Sequence, residues 1–300
     1  MKKIKIATFW DYDKDKPDVW GTPTGIYRNI KKLGYEIDRY PLPASDKTLG
    51  FKMYLEQEKK YDVCLLFNAG SLREGTPFWN KEKLGDVLLV QEAGDEPQAY
   101  QAHVETTAHS DLVLTTDLRC YWGYKSRNIN AHWFNSWCDR EIFNPIDVTS
   151  DLDVVTSMYG TRGYEPEIMT ALGDRYTKKT GLVGKENGEF FARGKIIFQQ
   201  SRHGEVTRRL FEGMGCRKLV FTDYLHPDTG IYELFRQKQD LIYYGSAEEA
   251  IHWLKYYLDH EDEREEIAHR GYQKVMKYHT ALKRTEELLS LTESLINEKK

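Results

Sequence analysis

The stretch RRLFEGMGC, residues 208–216, gathers two guanidinium groups and a carboxylate within five residues and follows them with Gly-Met-Gly. On a helix at 100° per residue, Val206, Leu210, Phe211 and Met214 share one side over about 140°. Arg208, Arg209 and Glu212 share the other over about 100°. The apolar side is expected to face a sheet. The polar side admits two readings. Arg208 and Glu212 stand four apart and Arg209 and Glu212 three apart, the spacing of ordinary surface ion pairs. In the other reading the arginines hold an anion. Arg202 and His203 stand just before the helix, after the strand-like run KIIFQQ (195–200). The stretch therefore lies where a strand's carboxyl end leads into a helix N-terminus, and free amides and the helix dipole there attract negative charge. Guanidinium matches phosphate oxygens in bidentate fashion, whereas a carboxylate does not. Glu212 beside the arginines thus suits a ligand with an anionic end and a hydroxylic end, such as a ribose.

The elements that must position these groups alternate. Short apolar runs occur at KIKIATF (3–9), YEIDRYPL (35–42), DVCLLFN (62–68), DVLLVQE (86–92), DLVLTTD (111–117) and AHWFNSW (131–137). Helix-favouring stretches such as GIYRNIKKL (25–33), stopped by Gly34, and PQAYQAHVETTAH (97–109) lie between them. This predicts parallel sheets with helices on both faces. A second series starts at DLDVVTSMYG (151–160), continues with helix around 164–180, and has strands at 195–200, 218–223 and 240–244. Ser246 and Glu249 form a capping box before EEAIHWLKYYL. The polar, proline-bearing CDREIFNPID (138–147) suits a boundary. The expected organisation is an α/β chain with two Rossmann-like domains, residues 1–145 and 146–280, facing one another across a cleft. A C-terminal helical tail, 281–300, packs back on the first domain.

At 300 residues, 40% hydrophobic and 30% charged, the composition is that of a two-domain globular chain. Net charge is −4 and evenly divided: 20 basic and 22 acidic groups in residues 1–150, 23 and 25 in 151–300. That balance lacks the basic surplus of a duplex nucleic-acid binder. Cys64, Cys120, Cys138 and Cys216 are widely spaced with no CxxC, which argues against a zinc site and a disulfide framework. The start reads as a strand rather than a signal peptide, and no run reaches 18 apolar residues. A cytoplasmic protein with no membrane span is expected.

The segment RRLFEGMGCRKLVFTDYLHPDTGIYELFRQKQDLIYY resembles the donor half of GT-B glycosyltransferases, in particular the group related to the spore maturation protein CgeB. Arg209, Phe211, Glu212, Met214, Cys216, Thr222, Asp223, Gly230 and Glu233 stand at that group's pattern positions. The resemblance is good over about 195–290 and includes the helical run SAEEAIHWLKYYLDHEDEREEIAHRGYQKVMKYHT. It is fainter over 86–160, where QEAGDEPQAY and DLDVVTSMYGTR, with Ser157 and Gly160, resemble family segments. It implies a GT-B-like fold and sugar transfer from a nucleoside-diphosphate donor, most simply a UDP-sugar as co-substrate, with no other cofactor and no bound metal. It further implies that Arg209 contacts the diphosphate with Arg208 auxiliary, and that Glu212 binds the ribose. Gly230 would bring backbone amides to the phosphates. His203, Thr222, Asp223, Glu233, Ser157 and Gly160 complete the implied donor site. Two departures stand out: Thr207 where the group often has Asn, and Arg217 where a glycine usually follows the cysteine. The paired glutamates of many retaining enzymes are also unmatched, since Glu205 and Glu212 have six residues between them rather than seven.

Transfer requires the leaving nucleotide to be stabilised and, for inversion, a base to take the acceptor's proton. Arginines and helix amides supply the first, and Asp151 and Asp153 read as strand residues rather than as a metal motif. Glu92, Asp95 and Glu96 after DVLLV, and Asp11, Asp13, Asp15 and Asp18 after the first strand, are carboxylates on loops at strand ends. Asp95 is the preferred base, with a solvated acid or helix cap as the other reading; His132 and His203 are further candidates. The loop WDYDKDKPDVWGTPTG (10–25), with Trp10, Tyr12, Trp20, Gly21 and Gly25, is long for a strand–helix connection and is the candidate acceptor side. The acceptor is left open among hydroxyls of a glycan, a protein, a small molecule or a hydroxylated base in DNA, the one role left to nucleic acid. Two alternatives are a non-catalytic two-domain protein binding a sugar or nucleotide, and a nucleotide-sugar epimerase of the same architecture.

Overall fold

In the computed structural model, residues 3–10, 21–42, 46, 48–67 and 85–299 are described, the backbone alone at 21 and 22. The chain forms two compact units, one of residues 1–135 with 282–300, the other of 136–281.

The first unit is built on a six-stranded sheet: β1 (Lys5–Trp10), β2 (Glu36–Pro41), β3 (Val63–Phe67), β4 (Leu88–Ala93), β5 (Leu112–Thr115) and β6 (Ala131–Trp133), in the order β2-β1-β3-β4-β5-β6. Every pairing is parallel. A parallel sheet is covered on both faces, which is why β3, VCLLF, is apolar throughout and wholly buried. Helices α1 (Gly21–Lys32), α2 (Leu49–Glu56), α3 (Tyr100–Thr107) and α4 (Leu118–Lys125) connect the strands. Gly34, at φ +77°, closes α1 as expected. The run read as strand over 131–137 pairs only through Trp133.

The second unit carries a five-stranded parallel sheet: β7 (Leu152–Thr156), β8 (Tyr176–Lys178), β9 (Gly194–Phe198), β10 (Leu219–Asp223) and β11 (Ile242–Tyr244), ordered β11-β10-β9-β7-β8. Around it lie α5 (Glu165–Leu172), α6 (Gly184–Arg193), α7 (Arg208–Gly215), α8 (Ile231–Leu234), α9 (Ala247–Asp259) and α10 (Glu261–Tyr278). Helical stretches are expected around 164–180. Instead α5 stops at Leu172 and β8 follows, a three-residue edge strand of mixed polarity, too short to declare itself by pattern. Ser246 caps α9 by accepting from the Glu249 amide (3.1 Å), while Glu249 reaches back to the Gly245 amide (2.7 Å).

The division falls ten residues before the expected 145/146. Residues 136–145 pack within the second unit: the Cys138 amide donates to the His279 carbonyl (2.8 Å), the Ala281 amide to the Cys138 carbonyl (2.9 Å), and Phe143 meets Phe191 at 5.9 Å. The terminal helix α11 (Ala281–Glu298) packs on the first unit. There Tyr35 donates to Glu293 (2.9 Å), His132 bonds Glu287 (2.6 Å), Lys299 pairs with Asp111 (2.7 Å), and Arg284 lies over the Phe134 ring. No helix among the described residues is long and apolar enough to cross a membrane.

Candidate functional site

In the second unit the chain runs from β7 to its neighbour β8, then returns to the other side of β7 to form β9. The carboxyl ends of β7 and β9 therefore diverge into loops on opposite sides, and an open α/β sheet binds ligands at such a point. Helix α7 starts above it. Leu210, Phe211 and Met214 are wholly buried, as the wheel predicts, and Val206 is buried before the helix begins. The two glycines that follow the charges serve packing. A side chain at Gly213 would come within 2.9 Å of Val220 and 3.1 Å of Ile197, and one at Gly215 would collide with Cys138 Sγ.

Arg209 turns into the switch point. Its Nε donates to Ser157 Oγ (3.3 Å) beyond β7, and its Nη1 to Gln199 Oε1 (3.2 Å) beyond β9. From Gln199 the network continues along the strand ends. Gln199 Nε2 donates to Thr222 Oγ1 (3.4 Å), and Thr222 Oγ1 to Asp223 Oδ1 (3.3 Å). Asp223 also accepts from the Ser201 amide (2.8 Å) and hydroxyl (2.6 Å). Burial pushes the Asp223 carboxyl above the usual aspartate value, against these hydrogen bonds. Burial likewise lowers the Arg209 pKa from its ordinary value, and Arg162 and Arg208 lower it further by like-charge repulsion, while Glu212 and Glu205 oppose them. A guanidinium stays charged regardless. Among the described residues no carboxylate lies within ion-pair distance of Arg209, so both of its hydrogen-bond partners are neutral.

Arg208 and Glu212 pair with each other, Nε to Oε1 at 2.9 Å, the contact expected from their spacing alone. Glu212 is buried, and among the described residues its Oε2 makes no hydrogen bond. Helix α7 begins without a side-chain cap: Thr207 is extended (φ −77°, ψ 148°), and its buried hydroxyl has no partner among the described residues. Its N-terminal amides thus keep the positive end of the helix dipole unneutralised by a capping group.

The structure brings Ser157, Arg209, Thr222 and Asp223 into one network, sets Arg208 and Glu212 beside it, and places Gly160 (φ +67°) on the loop after Ser157. It does not bring in the others. His203 is exposed; its amide and that of Arg202 bind the Glu205 carboxylate at 2.5 and 3.1 Å. Gly230 adopts φ +80°, but its amide is already committed to the Pro227 carbonyl (3.0 Å), so it does not offer that group to a phosphate. Glu233 is exposed, with no side-chain bond to the network. Gln199, Ser201 and Arg162 went unnamed in the sequence reading. Polar residues directly after the apolar core of β9 were the available signal.

In the first unit, Asp95 is exposed just after β4 and adopts φ +56°, a left-handed conformation uncommon for a residue with a side chain. Its carbonyl accepts from the Ala99 amide (3.0 Å). Glu96 is instead buried, accepting from Thr115 Oγ1 and from Tyr124 (2.5 Å), with His103 Nδ1 at 3.5 Å; Glu92 is buried too. Gly21 and Gly25 belong to helix α1 rather than to a loop, and the Gly25 carbonyl accepts from Asn29 (2.8 Å). Trp20, Tyr12 and the aspartates at 11, 13, 15 and 18 lie outside the described residues. Asp151 pairs with Arg193, and Asp153 with Arg175 (2.6 Å) and Lys195 (2.7 Å), so both serve ion pairs. Among the described residues no three His, Cys, Asp or Glu side chains gather as metal ligands would.

A family model described as glycosyl transferase-like matches residues 141–290, half of the 300-residue chain. The chain belongs to the glycosyl transferase-like family. The matched span contains β7 to β11 and all of α7, hence the whole Arg209 network. Among solved structures, this glycosyl transferase-like chain is similar to sucrose-phosphate synthase from Thermosynechococcus elongatus, with TM-score 0.72, 10% identity, and 99% of this chain and 100% of that one covered. Anabaena HepE, solved in complex with UDP and glucose, matches with TM-score 0.72 and 10% identity over 97% and 100%. A glycosyltransferase from Rickettsia africae matches with TM-score 0.69 and 9% identity over 99% of each chain. The two parallel-sheet α/β domains and helical C-terminal region are thus those of the GT-B fold. No curated protein matches the sequence.

Proposed function

We propose that this glycosyl transferase-like chain moves a sugar from a nucleoside-diphosphate donor, a UDP-sugar, to a hydroxyl acceptor, and that the second unit holds the donor. The observation carrying this reading is the Arg209 guanidinium at the β7/β9 switch point. It has neutral hydrogen-bond partners, feels Glu212 and Glu205 as well as Arg162 and Arg208 without an ion pair to any of them among the described residues, and stands at an uncapped helix N-terminus. Desolvating a cation whose hydrogen bonds go only to neutral groups is unfavourable, and a diphosphate supplies charge-assisted partners for it. HepE, which matches over nearly its whole length, was solved with UDP and with UDP-glucose. The residues matching the CgeB-related group support placing the chain in that subgroup.

In transfer, the bond between the sugar's anomeric carbon and the diphosphate oxygen breaks as the bond to the acceptor oxygen forms. Negative charge develops on the leaving diphosphate, where Arg209 and the first amides of α7 stabilise it without a metal or another cofactor. Glu212, through Oε2, accepts from a ribose hydroxyl. Asp95, exposed just after β4, takes the acceptor's proton in an inverting reaction.

Calorimetric titration with UDP tests the donor site. Arg209→Ala and Glu212→Ala are each expected to weaken UDP by about tenfold or more, the worth of a hydrogen bond to a charged group. Wild-type affinity in both variants would remove the assignment. Thermal stabilisation by free sugar alone, with no response to UDP, would instead make this a sugar-binding protein.

A further inference from the structure

The loop joining β7 to α5 carries a feature the donor reading leaves unused. Tyr159 is 66% exposed, and among the described residues its ring makes no aromatic or cation contact. The backbone around it is nonetheless firmly held. The Arg162 guanidinium binds the Tyr159 carbonyl, Lys178 Nζ binds the Gly160 carbonyl (2.5 Å) and Thr161 Oγ1 (3.3 Å), and the Tyr164 amide donates to Gln200 Oε1 (3.1 Å). Gly160 and Gly163 both adopt positive φ, and a side chain at Gly163 would collide with the Gln200 amide. An exposed aromatic ring on a hydrogen-bonded loop, with no ring or cation against it among the described residues, is a surface suited to a flat partner.

Its surroundings narrow the partner. Two residues before Tyr159 stands Ser157, bonded to Arg209; three after it stands Arg162, whose charge acts on Arg209. Facing its hydroxyl is Gly181 (φ +77°), where a Cβ would lie 3.8 Å away, in the loop that also exposes Val183. A ligand resting its anionic end on Arg209 would meet, on this side, a free aromatic ring and an open glycine. Tyr224, the other exposed aromatic at these strand ends, is already stacked on Tyr243 at 5.6 Å, and its ring makes no bond to the Arg209 network.

We infer that Tyr159 is the platform on which the donor's nucleobase stacks, so that the β7–α5 loop reads the nucleoside while Arg209 holds the diphosphate. This rests on the donor reading above, and the test separates the two. Wild type, Arg209→Ala, Tyr159→Ala and Tyr159→Phe are titrated calorimetrically with UDP, GDP, ADP, TDP and inorganic pyrophosphate. Tyr159→Ala is expected to weaken the preferred nucleotide by about tenfold, the usual effect of losing one aromatic stack, and to leave pyrophosphate unchanged. Tyr159→Phe, which keeps the stack, retains wild-type affinity, and Arg209→Ala weakens both probes. If Tyr159→Ala binds its nucleotide like wild type while Arg209→Ala does not, the donor site stands and the platform is overturned. An equal loss of nucleotide and pyrophosphate in Tyr159→Ala overturns it as well, by showing a disturbed loop. Wild type that binds none of the five overturns the donor reading and this inference together.

Discussion

Asp223 shows how the network sets the chemistry of one group. The polar chain from Ser157 to Ser201 ends on its carboxylate, which burial holds above the ordinary aspartate pKa of about 3.9 although Ser201 donates two hydrogen bonds to it. A carboxyl raised in the folded state favours folding while it is protonated, and that contribution is lost as pH rises through the raised value. Stability of the wild type is therefore expected to carry a descending component above pH about 4 that Asp223→Asn lacks. Urea midpoints compared across mildly acidic pH check this, and identical profiles would show that Asp223 does not titrate abnormally. The charged pattern in residues 208–212 divides between two fates. Arg208 takes Glu212, as helical spacing alone suggests, and Arg209 leaves the helix surface for the sheet ends. Spacing cannot tell adjacent arginines apart, because their different fates depend on which one lies above the β7/β9 divergence.

At the scale of the element, α7 works because it sits close. Gly213 lets it rest on Val220 and Ile197, and Gly215 clears Cys138, a buried residue drawn from the segment before β7. Gly215→Ala forces a methyl against Cys138 Sγ. A loss of about 1–3 kcal/mol is expected, measured by denaturant unfolding, with the Gly215→Ala, Cys138→Ala double variant recovering part of it. Absence of recovery would place the strain elsewhere. The ion pairs of Asp153 with Lys195 and Arg175 hold its carboxyl below the usual range, outweighing the effect of burial. A carboxyl lowered in the folded state adds stability above its unfolded pKa and loses it as pH falls through the folded value. The deficit of Asp153→Asn against wild type should thus be present at neutral pH and vanish in acid, the opposite trend to Asp223.

Across the whole molecule, the chain's last helix returns to its first unit. Leu288 and Leu289 are buried there, and Glu293, Glu287 and Lys299 bond Tyr35, His132 and Asp111. Removing residues 282–300 strips apolar cover and the bonds to Tyr35, His132 and Asp111 from the first unit and none of the network residues from the second. Hydrogen exchange on the truncated chain is expected to show lost protection in β5, β6 and α1, with UDP affinity retained. Lost affinity would show that the donor site depends on that helix.

The alternation of apolar runs and helix formers was enough to establish two parallel sheets, the capped start of α9 and the apolar face of α7, because each of these follows from neighbours along the chain. Family pattern positions in residues 208–233 likewise pointed to Arg209, Thr222 and Asp223. Three-dimensional packing alone decided the rest. It placed β8 at an edge where three mixed residues suffice, gave residues 136–145 to the second unit, and committed the Gly230 amide to Pro227. It also joined Ser157, Gln199 and Ser201 through Arg209 and Asp223, residues that lie as much as 66 positions apart, from 157 to 223. Local propensity acts over a few residues, whereas a ligand pocket is made where strands distant in sequence end side by side, and only their pairing order brings those ends together.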